Sequence, residues 1–336
     1  MEIFTPDTLG SWQSDPAVLD YVLRKAYECG VEPLKAGEGE VATYIPELAR
    51  ADRDAFGLAV MMKDGTTVCH GDVTTRFTMQ SVSKVVSLAM ALKRFDTHEV
   101  FSHVLMEPSG DSFSSIIKLD TVSNLPYNPL INAGALQIIG LLATECGFDD
   151  LLDYARRMCM DDQIDLNEAV YLSEKETGDR NRAIAYLLQS KGVLPYDPEE
   201  TLDLYFKMCS LDVNAVSLAG LGLVLANDGQ NPLTGEHLFS PQHARCVNSI
   251  MFTCGMYDRS GEFAARVGIP AKSGVGGGIT CGMRGRLGIG VYGPALDDKG
   301  NSVAGFTALE YLSRALHLHA FDYHPYIEDE VEAEQV

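Results

Sequence analysis

Apolar residues recur at helical spacing early in the chain, at Val18, Leu19, Val22, Leu23 and Ala26. Asp15-Pro16 before them suits a helix start, with Asp as cap and Pro in the first turn, and Gly30 is expected to end the helix. A link through Gly37 and Gly39 leads to Val41-Ala42-Thr43-Tyr44-Ile45-Pro46. Two short apolar runs, 56–62 and 66–71, read as strands joined by a hairpin turn at Lys63-Asp64-Gly65. A helix then follows over 77–92, where Val82, Val85, Val86, Leu88, Ala89 and Leu92 cover nearly its whole circumference. A helix that is apolar all round is one buried inside a domain.

From about 95 to 260 the pattern is mostly helical, with candidates at 132–145, 149–160, 180–190, 200–210 and 214–226 and another from Ser240-Pro241 to about 251. After Pro270 the period changes: 271–273, 280–282 and 286–292 read as strands, 301–305 as one more, and 307–318 as a closing helix. Gly288-Ile289-Gly290-Val291-Tyr292-Gly293 matches a dinucleotide fingerprint literally, but Pro294 follows at once where a helix should open, so it reads as a glycine-rich strand. Strands at both ends with helices between them predict an α+β fold, one antiparallel sheet built from both termini, flanked by helices and carrying an inserted helical lobe. The expected division is a single domain over 1–326, its sheet part about 1–75 and 265–320, its lobe about 76–264, and an acidic tail at 327–336. A cleft would fall between lobe and sheet.

Chemistry concentrates in the buried helix. Ser81 and Lys84 lie three apart and so share a helix face. In a dry site the amine would lose its proton more readily and could activate the hydroxyl, with helix N-terminal amides facing a developing oxyanion. Alone, Ser-x-x-Lys is more often a surface serine beside a solvated lysine, and the chain holds a second copy, Ser115-Ile116-Ile117-Lys118, in a polar stretch. Lys272-Ser273-Gly274 changes that balance, because Ser-x-x-Lys with a distant Lys-Thr-Gly marks β-lactamases and penicillin-binding proteins. The glycines that follow, 276–278, let a strand backbone approach a ligand closely.

Composition narrows the remaining classes. The chain has 336 residues, 46% of them hydrophobic and 22% charged, as in ordinary globular proteins. A net charge of −21 argues against nucleic acid and against anionic membranes as partners. The longest apolar segment, Ala215–Ala226, is too short to span a bilayer, and the first residues lack the features of a signal peptide. Eight cysteines without a C-x-x-C pair point to reduced thiols in the cytoplasm, and eight histidines without ligand spacing point to no metal and no cofactor.

Polar stretches in the middle of the chain read individually as loops and caps, with Asn132 and Asp179 as candidate helix caps. Taken together, Val41–Pro46, Gln80-Ser81-Val82-Ser83-Lys84, Asn132, Ser173-Glu174-Lys175-Glu176-Thr177-Gly178-Asp179-Arg180-Asn181, Leu202–Phe206, Gly255-Met256-Tyr257 and Ala271–Val275 closely resemble the serine-dependent glutaminases, in the family's order over most of 15–320. The resemblance implies a β-lactamase/transpeptidase-like fold of the compact bacterial type and hydrolysis of L-glutamine to L-glutamate and ammonia through a serine acyl-enzyme. It implies Ser81 as nucleophile, Lys84 as general base, and backbone N–H groups of Ser81 and Val275 as oxyanion donors. Tyr257 and Tyr205 would line the reacting centre, Tyr257 relaying a proton, while Tyr44, Asn132, Glu174 and Asn181 bind the amino-acid end. It also implies a homodimer or homotetramer. The role of Lys272 stays open between electrostatics and packing. Two alternatives share parts of this pattern: a serine β-lactamase or penicillin-binding esterase, and a catalytically silent amino-acid-binding module. The first lacks the 174–181 segment, and the Ser/Tyr-x-Asn element of lactamase relatives is missing around 120–135.

Overall fold

A computed structural model describes residues 16–109 and 124–322. The expected cap at Asp15, the second Ser-x-x-Lys at 115–118 and the acidic tail lie outside the described residues. Its strands are β1 (Gly57–Met62), β2 (Thr67–Gly71), β3 (Phe77–Thr78), β4 (Asp212–Val213), β5 (Ala271–Ser273), β6 (Gly278–Met283) and β7 (Leu287–Tyr292). Five of them form one sheet in the order β2-β1-β7-β6-β5, antiparallel throughout, and β3 pairs with β4. Val60 of β1 lies opposite Val68 of β2 on one side and Ile289 of β7 on the other. Strands distant in sequence therefore share one sheet, and the α+β expectation holds.

Alternation along the strands sorts the two faces. Leu58, Val60, Ile289 and Val291 point to a core shared with the helices Pro16–Lys35 and Val303–Leu316. On the other face runs the apolar helix Ala215–Ala226, which crosses β7 and β6. Its close seat explains the glycines of β7: a Cβ at Gly290 would lie 1.9 Å from the Ala215 carbonyl oxygen, and one at Gly288 2.1 Å from that of Ala219. Beyond this helix the lobe continues as Asn132–Ala143, Phe148–Cys159, Glu168–Thr177, Asp179–Ser190 and Pro198–Cys209, the first two packed on the buried helix Ser83–Arg94.

Four expectations are corrected. The first helix does not stop at Gly30 but continues to Lys35, and Gly30 is small because a Cβ there would meet the Phe56 ring at 2.6 Å. The 301–305 segment is not a strand; the Ser302 hydroxyl accepts the Gly305 N–H at 3.1 Å and caps the closing helix. The 173–181 stretch is not a loop but two helices broken at Gly178, where the Phe206 ring leaves no room for a Cβ. The buried helix begins later than 77: β3 comes first, then a 3-10 turn, Gln80–Val82, and only then Ser83–Arg94.

Candidate active site

Ser81 sits in the middle of that 3-10 turn, directly after Gln80, whose φ of 49° is rare for a residue with a side chain. The turn is held from both sides. The Met79 N–H donates to the Leu211 carbonyl at 2.8 Å, and the 273–276 backbone presses against it. A Cβ at Gly274 would lie 2.8 Å from the Met79 carbonyl oxygen, and one at Gly276 2.5 Å from that of Thr78. The turn that carries the serine and the glycine-rich strand end, nearly two hundred residues apart in sequence, are thus in direct contact.

Lys84 is only 2% exposed. Its Nζ donates to Asn132 Oδ1 at 2.6 Å and to the Leu130 carbonyl at 3.3 Å, and Asn132 Nδ2 donates to Asn181 Oδ1 at 2.9 Å. Burial lowers the Lys84 pKa to about 8, against the opposing influence of Cys209 and Glu174. A neutral amine has two N–H groups and one lone pair, so these two hydrogen bonds would occupy its donors and leave the lone pair to take a proton. Asn132 is not the cap expected of it: Ile131 holds that position, and Asn128 Oδ1 accepts the Leu130 and Ile131 N–H groups. Asp179 is not a cap either; it is the first residue of its helix and pairs with Arg182 at 3.4 Å.

Glu174 is buried on the helix Glu168–Thr177. Burial raises its pKa to about 7, opposed by a hydrogen bond with Gln80 and by the charge of Lys84. Tyr257 has a φ of 52° and a buried ring. Burial raises its pKa, while the nearby Ser81 side chain and Val275 backbone favour the ionised phenol. That places residues 81, 257 and 275 around one point. Tyr205 is buried and bonded to Cys209, whereas Tyr44 is 57% exposed at the rim.

A cavity of about 220 Å³ joins Tyr44, Ser81, Asn132, Glu174, Asn181, Tyr205 and Val275. That volume suits an amino acid better than a drug-sized ligand. A larger cavity of about 660 Å³, around Glu145, Lys175 and Asp203, contains none of these residues. Gln80, Arg180 and Cys209 also line the smaller one, without having been singled out from the sequence. Cys209 was findable, since it lies four residues after Tyr205 and so on the same helix face. Lys272 is absent from the lining; it lies behind the Tyr257 ring, with burial and then Lys84 lowering its pKa well below the ordinary lysine value.

A serine and a buried lysine one turn apart, facing the end of an antiparallel strand with helices behind the sheet, define a β-lactamase-like serine hydrolase. The comparisons with known proteins narrow that class. The glutaminase family model matches residues 39–321. The glutaminase of Clostridioides difficile (strain 630) is 52% identical over 287 residues, covering 84% of this chain and 93% of that protein. Glutaminase 2 of Clostridium perfringens (strain 13 / Type A) is 49% identical over 287 residues, covering 84% and 94%. Among solved structures, the probable glutaminase ybaS superposes with a TM-score of 0.88 at 35% identity, spanning 92% of this chain and 100% of that one. The covalent complex of Bacillus subtilis glutaminase YbgJ with 5-oxo-L-norleucine superposes with a TM-score of 0.79 at 35% identity, spanning 91% and 100%. The chain belongs to the glutaminase family and is an amidohydrolase acting on L-glutamine.

Proposed function

We propose that glutamine is held with its amino-acid end against Glu174, Asn132, Asn181 and Tyr44 and its carboxamide against Ser81. Glu174 pairs with the α-ammonium, and amide and phenol donors meet the α-carboxylate without adding a buried cation. Lys84 donates to Asn132, which donates to Asn181, so the Asn181 amide nitrogen is the donor at the end of the chain.

Lys84 takes the Ser81 proton as Oγ attacks the carboxamide carbon, and Ser81 and Val275 backbone N–H groups receive the oxyanion. Each such donor contributes roughly 10²–10³ in rate. The C–N bond breaks, the proton returns to the leaving nitrogen through Tyr257, and ammonia departs. Water then adds to the γ-glutamyl ester, the same base accepts its proton, and glutamate leaves with Ser81 restored. Tyr205 packs the far wall of the reacting centre.

The single observation that carries this reading is the convergence of Ser81, Asn132, Glu174 and Asn181 on one small cavity backed by a desolvated lysine. The covalent complex formed by the Bacillus subtilis relative is in keeping with it. Ammonia and glutamate release from L-glutamine should vanish in Ser81→Ala while its thermal melt stays in place; retained turnover would remove Ser81 from the mechanism. A cytoplasmic homodimer or homotetramer completes the proposal. Free thiols at all eight cysteines are compatible with that compartment, and light scattering on a sizing column tests the assembly.

A further inference from the structure

Among the described residues Lys272 has no carboxylate bonded to it, and it has no place in the wall of the substrate cavity. It is 0% exposed, and a cation held that far from water needs contacts in place of hydration. Three are present. Its Nζ donates to the Gly255 carbonyl at 3.1 Å and to the Ser273 carbonyl at 2.5 Å, and lies 4.2 Å from the centre of the Tyr257 ring. All three are contacts that an N–H makes, and an ammonium has three to give where a neutral amine has two. This set favours a retained proton and opposes the burial and the charge of Lys84 that lower its pKa.

The two carbonyls belong to different segments. Gly255 lies two residues before Tyr257, and Ser273 lies two residues before Val275. The same segments are tied by the Ser273 N–H donating to the Gly255 carbonyl at 3.1 Å, and packed so closely that a Cβ at Gly255 would fall 1.7 Å from the Ala271 carbonyl oxygen. Tyr257 itself is in the left-handed region, which a bulky side chain occupies only when its surroundings enforce it. Ser260 supplies part of that restraint, accepting the Met256 N–H at 3.0 Å and donating to the Tyr257 carbonyl at 2.8 Å. These bonds fix the backbone. On the ring bear the apolar side chains of Ala42, Val275 and Leu296 and, at its face, the lysine.

We propose that Lys272 is a positioning residue for the glutaminase reaction: its ammonium staples the Gly255–Tyr257 turn to the strand leading to Val275 and bears on the Tyr257 ring, setting the phenol between Ser81 and the Val275 amide. The inference rests on the proposed role of Tyr257. A cation on the ring face also favours the phenolate character that develops when the hydroxyl passes on a proton.

The test is a double-mutant cycle on the full chain, with kcat, KM, glutamate affinity by calorimetry and thermal melts for Lys272→Met, Tyr257→Phe and the pair. Lys272→Met should lower kcat by about 10²-fold or more, within the range of a misplaced proton-transfer group, with little change in KM. Glutamate affinity should stay within roughly twofold, the scatter expected of uncoupled sites. In the Tyr257→Phe background the same substitution should cost almost nothing further. Should Lys272→Met not fold, Lys272→Gln, which keeps a donor for one carbonyl, enters the cycle in its place.

The proposal is overturned if kcat survives the loss of the lysine, or if the two losses multiply in the double mutant. A fully active Tyr257→Phe would overturn it by a separate route, by removing the tyrosine from the reaction. A parallel loss of glutamate affinity and melting temperature would assign Lys272 to packing instead.

Discussion

Replacing Glu174 by Gln keeps the shape of the side chain and removes one charge from a cavity that holds another, Lys84, close enough to perturb it. Two consequences follow, with different signatures. The substrate ammonium loses its carboxylate, and breaking a buried pair by removing one partner costs about 3–5 kcal/mol. At 1.4 kcal/mol per tenfold that is roughly a hundredfold to a few thousandfold in kcat/KM, carried mainly by KM. The second consequence is in the pH profile. The proposed mechanism needs Glu174 ionised and Lys84 neutral, so the acid limb of wild-type kcat/KM should climb through ionisations at about 7 and about 8. Glu174→Gln deletes the first. It also removes a negative charge that raises the Lys84 pKa, so the second should fall below about 8. Initial rates of ammonia release across mildly acidic to alkaline pH should therefore show a much weaker enzyme whose single-proton limb lies at lower pH. An unchanged KM would place the ammonium elsewhere. A limb that stays two-proton, or moves alkaline, would refute the coupling between the two groups.

Lys84→Ala should slow acylation by at least about 10³-fold at neutral pH, because both the base and the charge that organises Asn132 are lost; stopped-flow trapping of the acyl-enzyme reads it directly. A glutamine analogue lacking the α-amino group should turn over poorly even at saturation, with kcat recovering as pH rises, since no ammonium offsets Glu174 and Lys84 stays protonated longer; a pH-independent kcat would contradict this. Gly290→Ala should destabilise the sheet by at least about 1–3 kcal/mol in denaturant melts, as overpacking against a helix backbone only 1.9 Å away cannot be relieved by a rotamer change; an unshifted midpoint would mean the helix can move.

What the sequence disclosed follows the range of the interactions involved. Ser81 and Lys84 were legible because their relation is one helical turn, and β1, β2 and β7 because two-residue periodicity and turn residues are local. Asn132 and Glu174 were placed by resemblance, and their local reading was wrong in kind. The helix Glu168–Thr177 buries only Val170, Tyr171 and Glu174, so its apolar stripe is too thin to register among charged neighbours. Gly30 looked like a stop because glycine favours helix ends, yet its cause is the Phe56 ring, brought in by the fold. Gln80 offered no periodic signal; its role comes from a left-handed backbone and a bond to Glu174, both set by tertiary contact. The place of Lys272 was equally invisible, since a Lys-Ser-Gly run does not say which side of a tyrosine the amine will occupy.

The architecture also accounts for how the base is kept ready. As the proposed base Lys84 must be neutral, and the lobe surrounds it with apolar helices that favour the neutral amine. The carboxylate proposed to recruit substrate works against this, since Glu174 stabilises the ammonium form. Burial and their mutual attraction together set the two groups at about 7 and about 8. In the proposed binding mode glutamine would break the balance: its ammonium would engage Glu174, screen it from the lysine, and bring a second positive charge that disfavours protonated Lys84. Recognition of the amino-acid end and activation of the nucleophile are then one electrostatic event. That linkage exists only because a turn before one helix, the end of a second and the start of a third meet at a single cavity.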